Sequence, residues 1–156
     1  MLRAAAAHKG ASFVEIYQNC NIFNDGAFDV LKDNDTRDDW TIRLEHGQPL
    51  RFGADGTKAV VRTETDGSLA FEENVADDDP RLVIHDAHHE HPSYAFALTR
   101  LSNIDPRYAP MGVFRDVQRP AYDSLMSDQL ETAAAKTPGD GAALQQLLLG
   151  PDTWTV

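Results

Sequence analysis

Residues 18–25 bring together side chains that are suited to ligand binding or catalysis. They include the single cysteine of the sequence, Cys20, among amide side chains, and they end with the carboxylate of Asp25. A thiolate can ligate iron, but an iron–sulfur cluster typically needs four thiolates, so Cys20 cannot hold one by itself. The simpler alternative is that Cys20 is a small buried residue, as unpaired cysteines commonly are.

Asn24 and Asp25 are candidates for a direct role near a cofactor. A carboxylate in such a loop can also act as an acid–base group, and this applies to Asp25 and to Glu15. The alternative for Asp25 is structural, because Asp followed by Gly26 can cap a following helix.

A second group of candidate residues is rich in histidine. These side chains are of the types that ligate metals at short spacings, and the group comprises His85, Asp86, His88, His89, Glu90 and His91. The order His-Glu-x-x-His of a helical zinc site is not present. Packing of polar side chains in a loop and a metal site therefore both remain open.

The elements around Cys20 predict where its loop lies in the fold. An alanine-rich helix is expected over residues 1–8, ended by Gly10, and a strand over residues 12–17. Helix, turn and strand in this order indicate the last crossover of a parallel sheet. Residues 18–25 then follow the carboxyl end of a strand, where the sites of open α/β sheets are found.

The rest of the chain predicts antiparallel strands and helices rather than a parallel sheet. Short strands are predicted over residues 40–44, 49–52, 59–63, 68–71, 82–85 and 112–114, with turns at Asp55-Gly56 and Asp66-Gly67, which indicates antiparallel hairpins. Helices are predicted over residues 92–101, 122–136 and 142–149. Because no second parallel strand unit is evident, the first strand is expected to pair with residues outside this sequence or with a partner chain.

Composition excludes several classes of function. The 156 residues carry 14 basic against 25 acidic side chains, a net charge of −11, which disfavours nucleic acids and anionic membrane surfaces as partners. No apolar run approaches the length that crosses a bilayer, and no secretory signal pattern is present. With one cysteine, the sequence fits a reducing cytoplasm.

The sequence resembles the thiamine-diphosphate-binding β subunit of 2-oxoacid:ferredoxin oxidoreductases, in particular its 2-oxoglutarate type. The resemblance covers nearly the whole chain. Its segments are Tyr17-Gln18-Asn19-Cys20-Asn21-Ile22-Phe23-Asn24-Asp25, Arg43-Leu44-Glu45-His46-Gly47-Gln48-Pro49, Ile84-His85-Asp86-Ala87-His88, Pro92-Ser93-Tyr94-Ala95-Phe96-Ala97-Leu98 and Gly112-Val113-Phe114-Arg115.

This resemblance implies a function and a set of cofactors. The enzyme would oxidatively decarboxylate a 2-oxoacid to acyl-CoA and CO₂, passing electrons through a [4Fe–4S] cluster to ferredoxin, with an α subunit as partner. Its cofactors would be thiamine diphosphate, Mg²⁺ and the cluster. Cys20 matches the position of the cluster cysteine that lies far from the other three, and Asn24 and Asp25 would lie near thiamine diphosphate.

The family's other cluster cysteines do not occur in this sequence, and neither does its Gly-Asp-Gly…Asn segment, in which an Asn follows the triplet and which holds metal and diphosphate. The expected fold is therefore an α/β fragment, with the end of the thiamine-diphosphate-binding domain over residues 1–38. A small α+β extension would occupy residues 39–156. The fragment is expected to be inactive alone. The alternatives are a non-catalytic acidic interaction domain and a small metal-dependent hydrolase centred on residues 85–91.

Overall fold

The computed structural model describes residues 1–136, 139, 141–151 and 154. These residues form two compact units. Unit 1 comprises residues 1–6 and 13–117, and unit 2 comprises residues 7–12 and 118–156. The predicted break at residues 138–141 and the predicted tail at residues 153–156 lie largely outside the described residues.

The elements in chain order are α1 (Leu2–Ala7), α2 (Asp29–Lys32), α3 (Arg37–Trp40), β1 (Thr41–Leu44), β2 (Arg51–Phe52), β3 (Lys58–Arg62), β4 (Leu69–Glu73), α4 (Ser93–Thr99), α5 (Leu101–Ile104), β5 (Ala109–Gly112), α6 (Tyr122–Lys136) and α7 (Gly141–Leu149).

Strands β1 and β5 form a two-stranded parallel sheet. Thr41 pairs with Ala109 and Leu44 with Gly112, so partners more than sixty residues apart lie side by side. This corrects two predictions from the sequence. Residues 12–17 are not assigned as a strand, and the parallel pairing occurs within the chain, between β1 and a strand that begins three residues earlier than predicted.

Strands β2, β3 and β4 form an antiparallel sheet in that order, as the hairpin pattern predicted. Both turns take glycines into the left-handed region, with φ of +69° at Gly56 and +70° at Gly67. The Thr63 hydroxyl and the Ser68 N–H donate to Asp66, and together with the nearby Ser68 hydroxyl they lower the pKa of its carboxyl to about 2. The predicted strand over residues 82–85 is reduced to two isolated bridges, from Leu82 to Val61 of β3 and from Ile84 to Pro49.

The core of unit 1 lies between these strands and α4. Alternation in β1 buries Ile42 and Leu44 while Arg43 is exposed, and the helical spacing of Tyr94, Leu98 and Leu101 places one apolar stripe inward. The remaining buried members of the core cluster are Leu50, Phe52, Val60 and Val83. A half-buried aromatic group packs against it, with the rings of Phe71 and Tyr108 4.7 Å apart.

Unit 2 contains α6 and α7. Helix α6 has the bounds that the sequence predicted, Tyr122–Lys136. Its predicted apolar face, which comprises Tyr122, Leu125, Met126 and Leu130, is exposed. None of the helices in the described part of the chain combines the length and the apolar character needed to cross a bilayer.

Parallel and antiparallel sheets together with helices confirm the predicted α/β fold class, although other strands than expected form the parallel pair. The division into residues 1–38 and 39–156 stays a prediction.

Gly112 allows β5 to approach β1 closely. Its φ is +143°, and a Cβ there would overlap the carbonyl oxygen of Leu44. We expect Gly112→Ala to lower the free energy of unfolding by about 1–3 kcal/mol, since the paired strand must move. Gly47→Ala is the matched control, because its φ is +79° but its Cβ would meet no atom within 4 Å. Urea unfolding of both variants measures the difference, and equal losses would contradict the close approach.

Candidate functional site

The residues around Cys20 form a narrow loop that we call the Cys20 loop, residues 17–28. Its two arms are joined at the base by the stacked rings of Tyr17 and Phe28, whose centroids are 4.9 Å apart. Near its tip, the N–H of Asn24 donates to the carbonyl oxygen of Cys20 at 2.9 Å. The loop is therefore a closed turn, and Cys20 lies where the turn begins.

Between base and tip, side chains join the two arms. The Asn19 amide donates to a carboxylate oxygen of Asp25 at 2.8 Å, and the Asn19 oxygen accepts from the N–H of Gly26 at 2.9 Å. Gly26 has a φ of +78°, a left-handed conformation that favours glycine and turns the second arm back toward Asn19. One amide thus connects the arms twice.

The sulfur of Cys20 lies among main-chain donors. The main-chain N–H groups of Phe23 and Ile22, and more weakly that of Asn24, lower the pKa of the thiol. Cys20 is partly exposed, so the alternative that it is a small buried residue is wrong. A partly exposed thiol with a lowered pKa forms the thiolate more readily, and the thiolate is the form that ligates metals and reacts as a nucleophile.

Asn24 and Asp25 both have exposed side chains. Asp25 receives its hydrogen bond from Asn19, and the residue at the start of α2 is Phe28, which makes no side-chain capping bond. The alternative that Asp25 caps the helix is therefore wrong. The role of these two residues near a cofactor stays a prediction.

The surroundings of the Cys20 loop are apolar and open. Ile22 and Phe23 at the tip are 77% and 89% exposed, and Phe13 and Ile16 on the preceding segment are also exposed. A cavity of about 490 Å³ lies beside the base of the loop. Its lining includes Glu15, Tyr17 and Phe28 on one side and Arg107 and Tyr108 on the other.

The donor set fits one ligand position of an iron–sulfur cluster. Cys20 would supply a thiolate, and the N–H groups around it would supply the hydrogen bonds that a cluster sulfur accepts. Within the described part of the chain, no three His, Cys, Asp or Glu side chains converge as a metal site. The other cluster ligands would have to come from residues beyond these.

His85, the first residue of the histidine-rich group, is a buried structural residue. It is 1% exposed, and its Nε2 lies 2.8 Å from the carbonyl oxygen of Val113. Because a carbonyl only accepts, Nε2 carries the hydrogen, and Nδ1 accepts from the Tyr94 hydroxyl at 3.1 Å. Both ring nitrogens are therefore occupied within the protein.

The other histidines of this group also bond locally. Nδ1 of His88 lies 2.6 Å from the carbonyl oxygen of Asp116, and Nδ1 of His91 lies 2.9 Å from the Ser93 hydroxyl. The His88 ring packs on that of His46 at 4.4 Å. This arrangement is loop packing, and it gives the metal-dependent hydrolase no support.

Sequence reasoning located the loop but missed how it is held. In the sequence, Asn19 is one of the amide side chains around Cys20, and that position alone does not predict its bonds to both Asp25 and Gly26. The available signal was Asp25-Gly26 six residues after an asparagine, since a glycine at a turn allows its N–H to face a nearby side-chain acceptor.

The lowered thiol pKa predicts how Cys20 reacts. Before iron is added, a larger fraction of Cys20 is thiolate at a given pH than in the unfolded chain, so alkylation by iodoacetamide should be faster. We expect the pH profile of the alkylation rate to have its midpoint below that of the same protein in urea, which is the control. A midpoint at or above the control would contradict the hydrogen bonds to the sulfur.

Burial, opposed by the Val113 carbonyl, lowers the pKa of His85, and the nearby His46 lowers it further. Its contribution to stability is complete above about pH 6.5, the unfolded value, and is lost as the pH falls. His85→Gln keeps a donor and an acceptor but does not titrate. We expect its free energy of unfolding to fall less between pH 7.5 and about 5 than that of the unchanged protein. Equal slopes in urea titrations would contradict a neutral His85.

Comparison with known proteins gives one informative match. No family model and no solved structure matches the chain. The chain is 44% identical over all 156 residues to the 2-oxoglutarate oxidoreductase subunit KorB of Mycobacterium tuberculosis, of which it spans 41%. The resemblance predicted from the sequence is thus confirmed: along its whole length, this chain is similar to part of the β subunit of a 2-oxoglutarate oxidoreductase.

Proposed function

We propose that the chain is part of the β subunit of a 2-oxoglutarate:ferredoxin oxidoreductase. The observation that carries this proposal is the 44% identity to KorB along the entire chain. In the reaction, 2-oxoglutarate loses CO₂, its remaining acyl group forms a thioester with coenzyme A, and the two electrons released reduce two ferredoxins, one electron each.

The cofactors would divide this chemistry between them. When bound, thiamine diphosphate with Mg²⁺ supplies the stabilisation of the decarboxylated carbon, and the [4Fe–4S] cluster supplies one-electron transfer. The residues of this chain would position these cofactors. Cys20 would ligate the cluster, and the oxygens of Asn24 and Asp25 would face the thiamine diphosphate and Mg²⁺ site.

Three properties of the Cys20 loop support these roles. Cys20 is partly exposed, main-chain N–H groups lower the pKa of its thiol, and it lies four residues before the exposed pair Asn24 and Asp25. N–H groups directed at a ligating sulfur stabilise the negative charge of a cluster. The apolar tip, with Ile22 and Phe23 exposed, is a surface that the rest of the subunit or its α subunit would cover.

The proposal includes partners and location. The α subunit and ferredoxin would be the protein partners, and 2-oxoglutarate and coenzyme A would be the substrates. The enzyme would act in the cytoplasm and would bind neither nucleic acid nor a membrane. Residues 1–38 would complete the thiamine-diphosphate-binding domain and residues 39–156 would form the extension. Because the chain provides one cluster ligand, it is expected to be inactive alone.

The test uses the complete β subunit expressed with its α subunit. We expect reduction of ferredoxin that requires both 2-oxoglutarate and coenzyme A, with pyruvate as the control substrate. Cys20→Ser should remove the visible absorbance of the cluster, lower the iron content and abolish ferredoxin reduction, because a hydroxyl is a poor cluster ligand. Asn21→Ala, at the next exposed position, is the matched control.

A β subunit that kept its full cluster after Cys20→Ser would contradict the role of Cys20. Absence of 2-oxoglutarate-dependent reduction in the unchanged complex, with both subunits folded, would instead favour the non-catalytic interaction domain.

A further inference from the structure

The shape of the Cys20 loop depends on few contacts. Its tip is not buried in this chain, since Ile22 and Phe23 are 77% and 89% exposed. Its base is joined by the stacked rings of Tyr17 and Phe28. Packing therefore fixes the base, and hydrogen bonds between the arms must fix the part that carries Cys20.

The Asn19 side chain makes two of those bonds at once. Its NH₂ group donates to Asp25 and its oxygen accepts from the N–H of Gly26, at 2.8 and 2.9 Å. A carboxamide has a donor and an acceptor on one rigid plane, whereas a carboxylate only accepts. The residue directly before Cys20 is thus fixed to the opposite arm through both of its polar ends.

We propose that Asn19 is the positioning residue of the Cys20 loop: its amide holds the two arms together and so fixes the turn from Cys20 to Asn24, with the Ile22 and Phe23 N–H groups directed toward the Cys20 sulfur. The inference rests on the proposed role of Cys20 as a cluster ligand and adds to it the residue that sets the hydrogen bonding around that ligand.

The expected consequence is electronic as well as structural. Hydrogen bonds to cluster sulfurs stabilise the more negative, reduced state and so raise the reduction potential. If Asn19 no longer joins the arms, the N–H groups diverge from the sulfur while Cys20 itself stays. The cluster should then remain bound at a lower potential.

The test compares variants of the complete subunit with its α subunit. Asn19→Ala is expected to shift the midpoint potential of the cluster to a more negative value. The potential is measured by a redox titration monitored by electron paramagnetic resonance. In the cluster-free subunit, amide hydrogen exchange of residues 20–26 should become several-fold faster, with exchange elsewhere unchanged. Asn21→Ala, on the other side of Cys20, should leave both readouts unaltered.

A reciprocal pair of substitutions separates positioning from general destabilisation. Asn19→Asp places two carboxylates opposite each other and should shift the potential as Asn19→Ala does. Adding Asp25→Asn to Asn19→Asp restores a donor and an acceptor with the direction of the bond reversed. We expect the double variant to recover the potential and the slow exchange. If the single variants lose iron altogether, recovery of iron in the double variant supports the same conclusion.

The outcomes distinguish the proposed role of Asn19 from the proposed role of Cys20. An unchanged potential in Asn19→Ala, or a double variant that recovers neither potential nor iron, would overturn the role of Asn19 and leave Cys20 as the ligand. A cluster that survives Cys20→Ser would overturn the ligand assignment itself.

Discussion

The parallel pairing of β1 with β5 is the contact on which unit 1 depends. It brings Thr41–Leu44 against Ala109–Gly112, so residues 45–108 must fold back on themselves for the two strands to meet. The approach is close enough that a methyl group at Gly112 would overlap the Leu44 carbonyl. The hairpin sheet, α4 and the buried His85 all lie within the segment that this pairing closes.

His85 shows how the two ends of this segment pack together without leaving buried polar atoms unpaired. Its ring connects the Tyr94 hydroxyl on α4 with the Val113 carbonyl directly after β5. A buried imidazole with both nitrogens bonded avoids the cost of an unpaired polar group and joins two elements distant in sequence. The histidine-rich segment therefore contributes to the fold rather than to a metal centre.

The Cys20 loop is organised by local bonds instead. Its arms are joined by a ring stack, by Asn19 and by the main-chain bond from Asn24 to Cys20. These contacts connect residues at most eleven positions apart, so the loop can keep its shape while its apolar tip still lacks a cover. The position of the Cys20 sulfur is therefore set by contacts within the loop itself.

Patterns with a strong local cause were predictable from the sequence. The turns at Gly56 and Gly67 produced the expected hairpins, and α6 has the predicted bounds. The strand over residues 12–17 failed because strand-forming residues need a partner, and apolar residues such as Phe13 and Ile16 are instead exposed. The β1–β5 pairing was missed because register between distant segments leaves no local signal. In the site, residue types indicated Cys20, but the bonds of Asn19 depend on chain reversal at Gly26.

The hydrogen bonds that lower the pKa of the Cys20 thiol also make its sulfur easier to oxidise. A partly exposed thiolate reacts with peroxide more readily than a thiol, giving first a sulfenic acid. Cys20 is the one cysteine of this sequence, so a disulfide between two residues of this sequence would have to join two copies of it.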